Sequence, residues 1–362
     1  MFSLFSIRLS VIIPFYNVER YISQCLESVY SQDIPESDYE VICVNDCSPD
    51  NSRNIVLEYQ QQHDNLILIE HEENKKQGGA RNTGLRAARG EYVWFIDSDD
   101  YIRPNCIKHL LDTLDENDLD LVLFDFGDVD ENSHFLRRST NDFPAYESCL
   151  GKNVFYYPEE GRGKSFADWQ GWPKMIAPVW SRIVKRSLYL DNNIFHHEYF
   201  EFEDNAFGEK TYYYAKSIMY LPDVVIFYRQ RADSAVHLAF HHNVGYWYAA
   251  RIKDLIERYT FRILIPDPEI KILLAQQDAG DKFWIGFMTV LGFRNKDRQL
   301  FFCYLKKIDN LEVIFPYISL LTRFAITHET IMAILSNVVY FPRIVYRKLK
   351  KERKSKNDES SC

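Results

Sequence analysis

Short apolar runs alternate with longer amphipathic stretches along the first third of the chain. Residues 9–13 (LSVII) form a continuous apolar run, the pattern of a strand covered on both faces. From Asn17 to Gln32 the period changes: Tyr21, Ile22, Cys25, Leu26 and Val29 share one helical face, with Asn17 placed as N-cap. A second strand, VICV at 41–44, runs into the turn-rich segment Asn45 to Asp50, and a helix follows over about 52–62. Strand 66–70 (LILIE), a polar loop at 71–78, a helix at 79–89 and strand 91–96 (EYVWFI) continue the alternation. Pro104 opens another helix, with Ile107, Leu110, Leu111 and Leu114 on one face, and a strand follows at 119–124. Such alternation with short connections predicts an α/β fold on a doubly wound, mostly parallel sheet.

Beyond about 130 the pattern loosens. Residues 130–178 are rich in Tyr, Pro, Gly and polar residues and read as long loops. Short elements return over 180–230, ending in the strand-like VVIFYRQ, and from about 243 to 342 the chain reads as helical and aromatic. The most apolar late stretch, 311–342, is broken by Arg323, His328 and Glu329, short of the ~18 residues a membrane-spanning helix needs. The apolar N-terminus, interrupted by Arg8 and Pro14, reads as a first strand and not a signal peptide.

Composition changes this picture little, and charge changes it more. Apolar residues make up 46% and aromatics 15% of the 362 residues, enough for a substantial core. The net charge of −9 gives no general case for nucleic-acid binding. Residues 343–356 hold eight Lys or Arg and one Glu, a local +7, which leaves −16 on the remainder. An acidic body with a basic tail is expected either to touch an anionic membrane surface or to carry a solvated terminus. Seven cysteines without a CxxC pair fit a reducing, cytoplasmic setting better than a disulfide framework.

In open α/β sheets ligands bind beyond the carboxyl ends of the strands. Pro14-Phe15-Tyr16-Asn17, Asn45-Asp46 and Asp97-Ser98-Asp99-Asp100 each follow a predicted strand, so they are expected to converge on one crevice. Carboxylates ~6 Å apart repel by roughly 3 kcal/mol at an effective dielectric near 20. A hard dication, Mg²⁺ or Mn²⁺, bridging to phosphates relieves that repulsion; helix-capping or turn aspartates are the alternative. Asp46 is a candidate acceptor for a base or ribose, or the head of an Asx turn. Tyr16 is a candidate stacking ring, and Arg81, after Gly78-Gly79, a candidate diphosphate ligand or a surface arginine. Glu203-Asp204, set among aromatics in YFEFEDNAF, holds a candidate general base, or else begins a solvated helix.

Taken together, SVIIPFYNVERYISQCLESVYSQ, VICVNDCSPDNS and GGARNTGLRAARGEYVWFIDSDDYIRP resemble the N-terminal half of family 2 glycosyltransferases of the bacterial polysaccharide-biosynthesis type. The later VWSRIVKRSLYLDNNIF, FEDNAF and YRQRADSAVH also resemble that family, so the likeness covers about 1–237. It implies an inverting enzyme of GT-A fold over 1–240, with a nucleotide-sugar half at about 1–125 and an acceptor half at 126–240. A helical C-terminal region at 241–342 and the basic tail at 343–362 lie beyond. By resemblance, Tyr16 stacks on the base, Asp46 hydrogen-bonds it, and Pro14 and Arg81 border the nucleotide and diphosphate. Asp97, with Ser98, lies at the ribose side of the DxD motif, Asp99 is its metal ligand, and His237 completes the metal or diphosphate site. Asp204, with Glu203 beside it, is the catalytic base, and Trp180 lines the sugar or acceptor pocket or is a core residue. The implied donor is a nucleoside diphosphate sugar, UDP above all, and the acceptor a glycan or lipid-linked saccharide. Cys47 stands where the family usually has Gly, and Asn45 where it often has Asp, which implies an altered turn and donor fit. A nucleotidyltransferase would carry a Gly-rich, Arg-containing loop where this chain has PFYN, and an NAD-dependent oxidoreductase would carry GxGxxG. A non-catalytic nucleotide-sugar-binding scaffold is the remaining alternative.

Overall fold

The computed structural model describes residues 7–139, 154–156, 178–231, 234, 244–266, 301–310 and 312; His237 and the basic run lie outside them. The strands are β1 (Leu9–Phe15), β2 (Tyr39–Asn45), β3 (Leu66–Glu70), β4 (Tyr92–Phe95), β5 (Tyr101–Ile102), β6 (Leu121–Val129), β7 (Phe135–Ser139), β8 (Val154–Tyr156), β9 (Arg182–Lys185) and β10 (Ile218–Arg229). They form one sheet in the order β3-β2-β1-β4-β9-β6-β10-β5, with β7 on β6 and β8 on β10. β3, β2, β1 and β4 are parallel neighbours, and β6 and β10 are parallel to each other. The inserted β9 runs against both β4 and β6, so β6 and β10 share the direction of the first four strands. The sheet is therefore mostly parallel, as the alternation predicts.

The helices are α1 (Ile22–Tyr30), α2 (Ser52–Gln60), α3 (Lys76–Ala87), α4 (Ile107–Glu116), α5 (Arg186–Asp191), α6 (Glu203–Tyr214) and α7 (Val244–Leu264). Their placement explains why LSVII lacks alternation. Val11, Ile13 and Phe15 pack on one face with Ile22 and Leu26 of α1, Val56 of α2 and Leu110 of α4. Ile12, with Ile42 and Val44, packs on the other with Ala80 and Leu85 of α3, Tyr189 of α5 and Phe207 of α6. A strand between two apolar layers needs apolar residues at nearly every position, and its buried polar residue, Ser10, is hydrogen-bonded to Glu40 at 2.7 Å. Each such residue contributes roughly 1.5–3 kcal/mol of burial.

Three local expectations are corrected. Asn17 is not the cap of α1: the helix starts five residues later, and Asn17 sits at φ 56° with its N–H donated to Ser48 Oγ at 2.8 Å. The β1–α1 link is a loop braced on the β2–α2 loop instead. Pro104 precedes α4 by a turn instead of opening it, the helix beginning at Ile107. Helix α3 begins at Lys76, so Gly78-Gly79 lie inside it.

The chain divides into two compact units, Met1–Ser234 with Phe261–Leu274, and Ala235–Thr260 with Ala275–Cys362. The first takes in a segment past the boundary at 240 read from the sequence. Within it Arg262 of α7 grips Glu209 of α6 through two hydrogen bonds of 2.6 Å, both side chains buried. No described helix is long and apolar enough to cross a membrane.

Candidate active site

Parallel register brings the first two polar clusters side by side. β1 and β2 pair up to Phe15–Asn45, and the Asp46 N–H donates to Phe15 O at 3.1 Å, one residue past the strand ends. Tyr16 and Asp46 therefore emerge together, Tyr16 half-exposed and Asp46 buried. Pro14 lies two residues beyond the last β1–β4 pair, Ile12–Phe95, so its missing N–H breaks no rung with β4. The Asx turn of this region belongs to Asp50, whose Oδ1 accepts from Ser52 N at 3.2 Å, and Asn45 Oδ1 accepts from Ser48 N at 2.8 Å. Asp46 is spared for other bonds: its Oδ1 accepts from Lys75 N and pairs with His71 Nδ1, both at 2.8 Å. Cys47, where the resemblance expects Gly, has φ 63°, the left-handed conformation that Gly adopts without strain.

The turn after β4 arranges its aspartates unequally. Asp100 is buried, accepts from the Arg229 N–H at 2.8 Å, and closes the turn with its own N–H on Asp97 O at 3.0 Å. Burial, with Asp99 and Asp97 adding to it, pushes its carboxyl well above the usual range. Ser98 is also buried. Asp97 and Asp99 keep 15% and 20% of their side chains exposed, so these two are less buried than Asp100. Asp99 Oδ2 accepts from Arg231 Nε at 2.7 Å; burial raises its carboxyl while Arg231 opposes the rise.

Arg81 is no surface arginine. It is 2% exposed on α3, donates to Asp97 Oδ1 at 2.7 Å with one terminal nitrogen, and to Glu203 Oε1 with the other. Gln77, one turn earlier, reaches the same Asp97 oxygen at 2.7 Å. The bridge depends on close approach at Gly78, where a Cβ would lie 2.3 Å from His197 O and 3.0 Å from Glu203 Cγ. Glu203 opens α6 and is buried, not solvated; burial lifts its carboxyl from 4.5 to about 7, against the pull of Arg81 and with Asp204 adding to the rise. Asp204 follows in the first turn, partly exposed, where the helix dipole favours an anion. One guanidinium thus ties the aspartate turn to the Glu203-Asp204 pair.

Sequence reading missed the other half of the clamp. The Arg229 guanidinium, at the end of β10, donates to Asp99 O and Glu131 O at 2.8 Å and to Gln24 Oε1 at 2.6 Å, and lies over the Tyr21 ring. The only sequence signal was the spacing of Arg229 and Arg231 at a strand end. Trp180 is buried, stacked on Tyr228 and edge-on to Phe126, with its carbonyl accepting from Trp94 Nε1 at 2.7 Å. Its core reading therefore prevails.

This geometry has known counterparts. The Glycosyl transferase family 2 model matches residues 10–190. Glycosyltransferase GlyG of Streptococcus pneumoniae serotype 4 is 29% identical over 261 residues, which are 70% of this chain and 79% of GlyG. The poly(ribitol-phosphate) β-N-acetylglucosaminyltransferase TarS of Staphylococcus aureus is 32% identical over 228 residues, which are 62% of this chain but only 36% of TarS. The solved structure of S. aureus TarS 1–349 in complex with UDP-GlcNAc superposes with a TM-score of 0.63 at 23% identity, covering 93% of this chain and 92% of that one. The GT-A-like architecture is common to both. With half its length matched by the family model, the chain belongs to glycosyl transferase family 2.

Proposed function

We propose that this chain transfers a sugar, with inversion at the anomeric carbon, from a UDP-sugar to a hydroxyl of a glycan or lipid-linked saccharide in cell-surface polysaccharide assembly. The Arg81 bridge carries the reading, because it joins the aspartate turn of the nucleotide half to the Glu203-Asp204 pair of the acceptor half. The donor class rests on the UDP-GlcNAc held by the related TarS structure, and the acceptor class on the polymer in the TarS name.

In this mechanism Tyr16 stacks on the base, Asp46 accepts a hydrogen bond from it, and Pro14 and Ser98 shape the nucleotide crevice. Asp204 takes the proton of the acceptor hydroxyl as that oxygen bonds to the anomeric carbon. The bond from that carbon to the diphosphate breaks on the opposite face, and UDP departs. Glu203, buried against Arg81, holds the start of α6, and with it Asp204, in place.

The residues of the turn fit a hard divalent ion. Asp97 and Asp99 keep part of their carboxylates exposed, and Asp99 already draws a cationic partner, Arg231. Among the described residues no group of three or more His, Cys, Asp or Glu side chains could hold a metal alone. Mg²⁺ and Mn²⁺ are commonly held by one or two carboxylates plus substrate phosphates. Asp99, with the donor's phosphates, would hold Mn²⁺ or Mg²⁺. When bound, the ion stabilises charge on the departing diphosphate.

Asp204→Asn tests the base. Turnover of the UDP-sugar is expected to fall by roughly 10²–10⁴-fold with UDP affinity by calorimetry unchanged. Transfer close to wild type in that variant would remove Asp204 from the role. A screen of UDP-, GDP- and dTDP-sugars for Mn²⁺-dependent thermal stabilisation identifies the donor.

A further inference from the structure

His71 has no role in the mechanism above, yet both nitrogens of its ring are held by hydrogen bonds. Its side chain is 6% exposed and lies between two partners. Nδ1 is 2.8 Å from Asp46 Oδ1, and Nε2 is 2.8 Å from Thr83 Oγ1 on α3. An ionised carboxylate can only accept, so Nδ1 carries the proton. In the neutral ring Nε2 is then the acceptor, and the Thr83 hydroxyl donates to it. The backbone fixes the ring further, since the His71 N–H donates to Asn45 O at 3.0 Å and Cys47 Sγ donates to His71 O at 3.2 Å.

The result is an asymmetric carboxylate. Asp46 Oδ1 takes both the His71 ring N–H and the Lys75 backbone N–H. Oδ2 takes no hydrogen bond among the described residues, and it is not sealed from solvent. Beside it Tyr16 offers a half-exposed ring for stacking. A carboxylate free to rotate could present either oxygen, or accept a proton and present a donor. This one presents one acceptor in one place.

We infer that His71, backed by Thr83, is a positioning residue that locks Asp46 as a fixed acceptor and so makes the base pocket select nucleobases with a ring N–H. The inference rests on the nucleotide-donor reading above. Uracil, thymine and guanine carry such an N–H; the unprotonated N3 of cytosine would set lone pair against lone pair. Rejection of that kind is an unpaired buried polar group, a stronger discriminator than shape.

The test measures UDP and CDP affinities of the full chain by calorimetry, with donor KM and kcat. Wild type is expected to prefer UDP over CDP by at least ~10-fold. His71→Ala should weaken UDP binding and raise donor KM by about ten-fold, shrink the UDP-to-CDP ratio, and leave kcat at saturating donor within about twofold. His71→Asn, whose amide N–H can take the place of Nδ1–H, should recover most of the loss. Thr83→Val should shift the ratio in the same direction by a smaller factor. The inference is overturned if His71→Ala binds UDP as wild type does, loses UDP and CDP affinity equally, or loses kcat with KM unchanged. If His71→Ala does not fold by circular dichroism, His71→Asn and Thr83→Val decide on the same ratio. Wild type that binds neither nucleotide would instead remove the donor reading itself.

Discussion

At the residue scale the site turns on buried charge. Arg81 exchanges water for two carboxylates that stand 16 and 122 residues away in sequence, a pairing no local pattern could announce. Residue type was legible there; burial was not. Glu203 shows the consequence. Its carboxyl is raised from 4.5 to about 7 because burial outweighs the pull of Arg81. A raised acid binds more protons folded than unfolded, so this contribution to stability is present below pH ~4.5 and is lost as pH rises through about 7. Urea unfolding of wild type and Glu203→Gln is therefore expected to show wild type losing ground to the variant across that window; a constant difference would mean that Glu203 is ionised throughout. Cys47 carries a separate strain, its φ of 63° being a conformation that L side chains adopt at a cost. Cys47→Gly should stabilise the protein by roughly 0.5–1 kcal/mol after loss of the thiol contact to His71 O, read as a higher urea midpoint.

At the element scale, helix positions were legible, as was the start of α2 at Ser52, whereas the starts of α1, α3 and α4 were not. The apolar face of α1 was read as Tyr21, Ile22, Cys25, Leu26 and Val29; all five are buried, with Tyr21 just ahead of the helix at its N-cap. Its start was misplaced because Asn17 serves the Ser48 hydroxyl across the crevice, a tertiary contact that outcompetes capping. Gly78-Gly79 suggested the N-terminus of a helix, yet both lie within α3, where the absent side chain lets α3 meet the residues around Glu203. Gly78→Ala tests that contact. The new methyl would meet the backbone oxygen of His197, which cannot rotate away, so a loss of about 1–3 kcal/mol is expected by thermal unfolding, with weaker UDP binding as the Arg81 bridge opens. Gly79→Ala should be costly too, because its methyl would lie 2.3 Å from Lys75 Cβ, an atom fixed to the backbone that no rotamer change moves.

At the scale of the whole molecule, charge separates an acidic body from a basic tail. The peripheral-membrane reading of residues 343–356 predicts that the full chain co-sediments with phosphatidylserine vesicles at low salt and is released at high salt, whereas a chain ending at Pro342 stays in the supernatant. Equal behaviour of the two would remove the tail from any docking role. The strand–helix alternation, the two-sided burial of LSVII and the order of the polar clusters were all determined by the sequence, because hydrophobic period and turn chemistry are local properties of a chain. From them came the α/β sheet and the expectation that Tyr16, Asp46 and the aspartate turn share one edge. Only the tertiary structure decided which aspartates keep some exposure, that Arg81 is buried, and that His71 stands behind Asp46. Those outcomes depend on the desolvation and pairing of groups brought together from distant positions, and a charge has no fixed role until its neighbours are set.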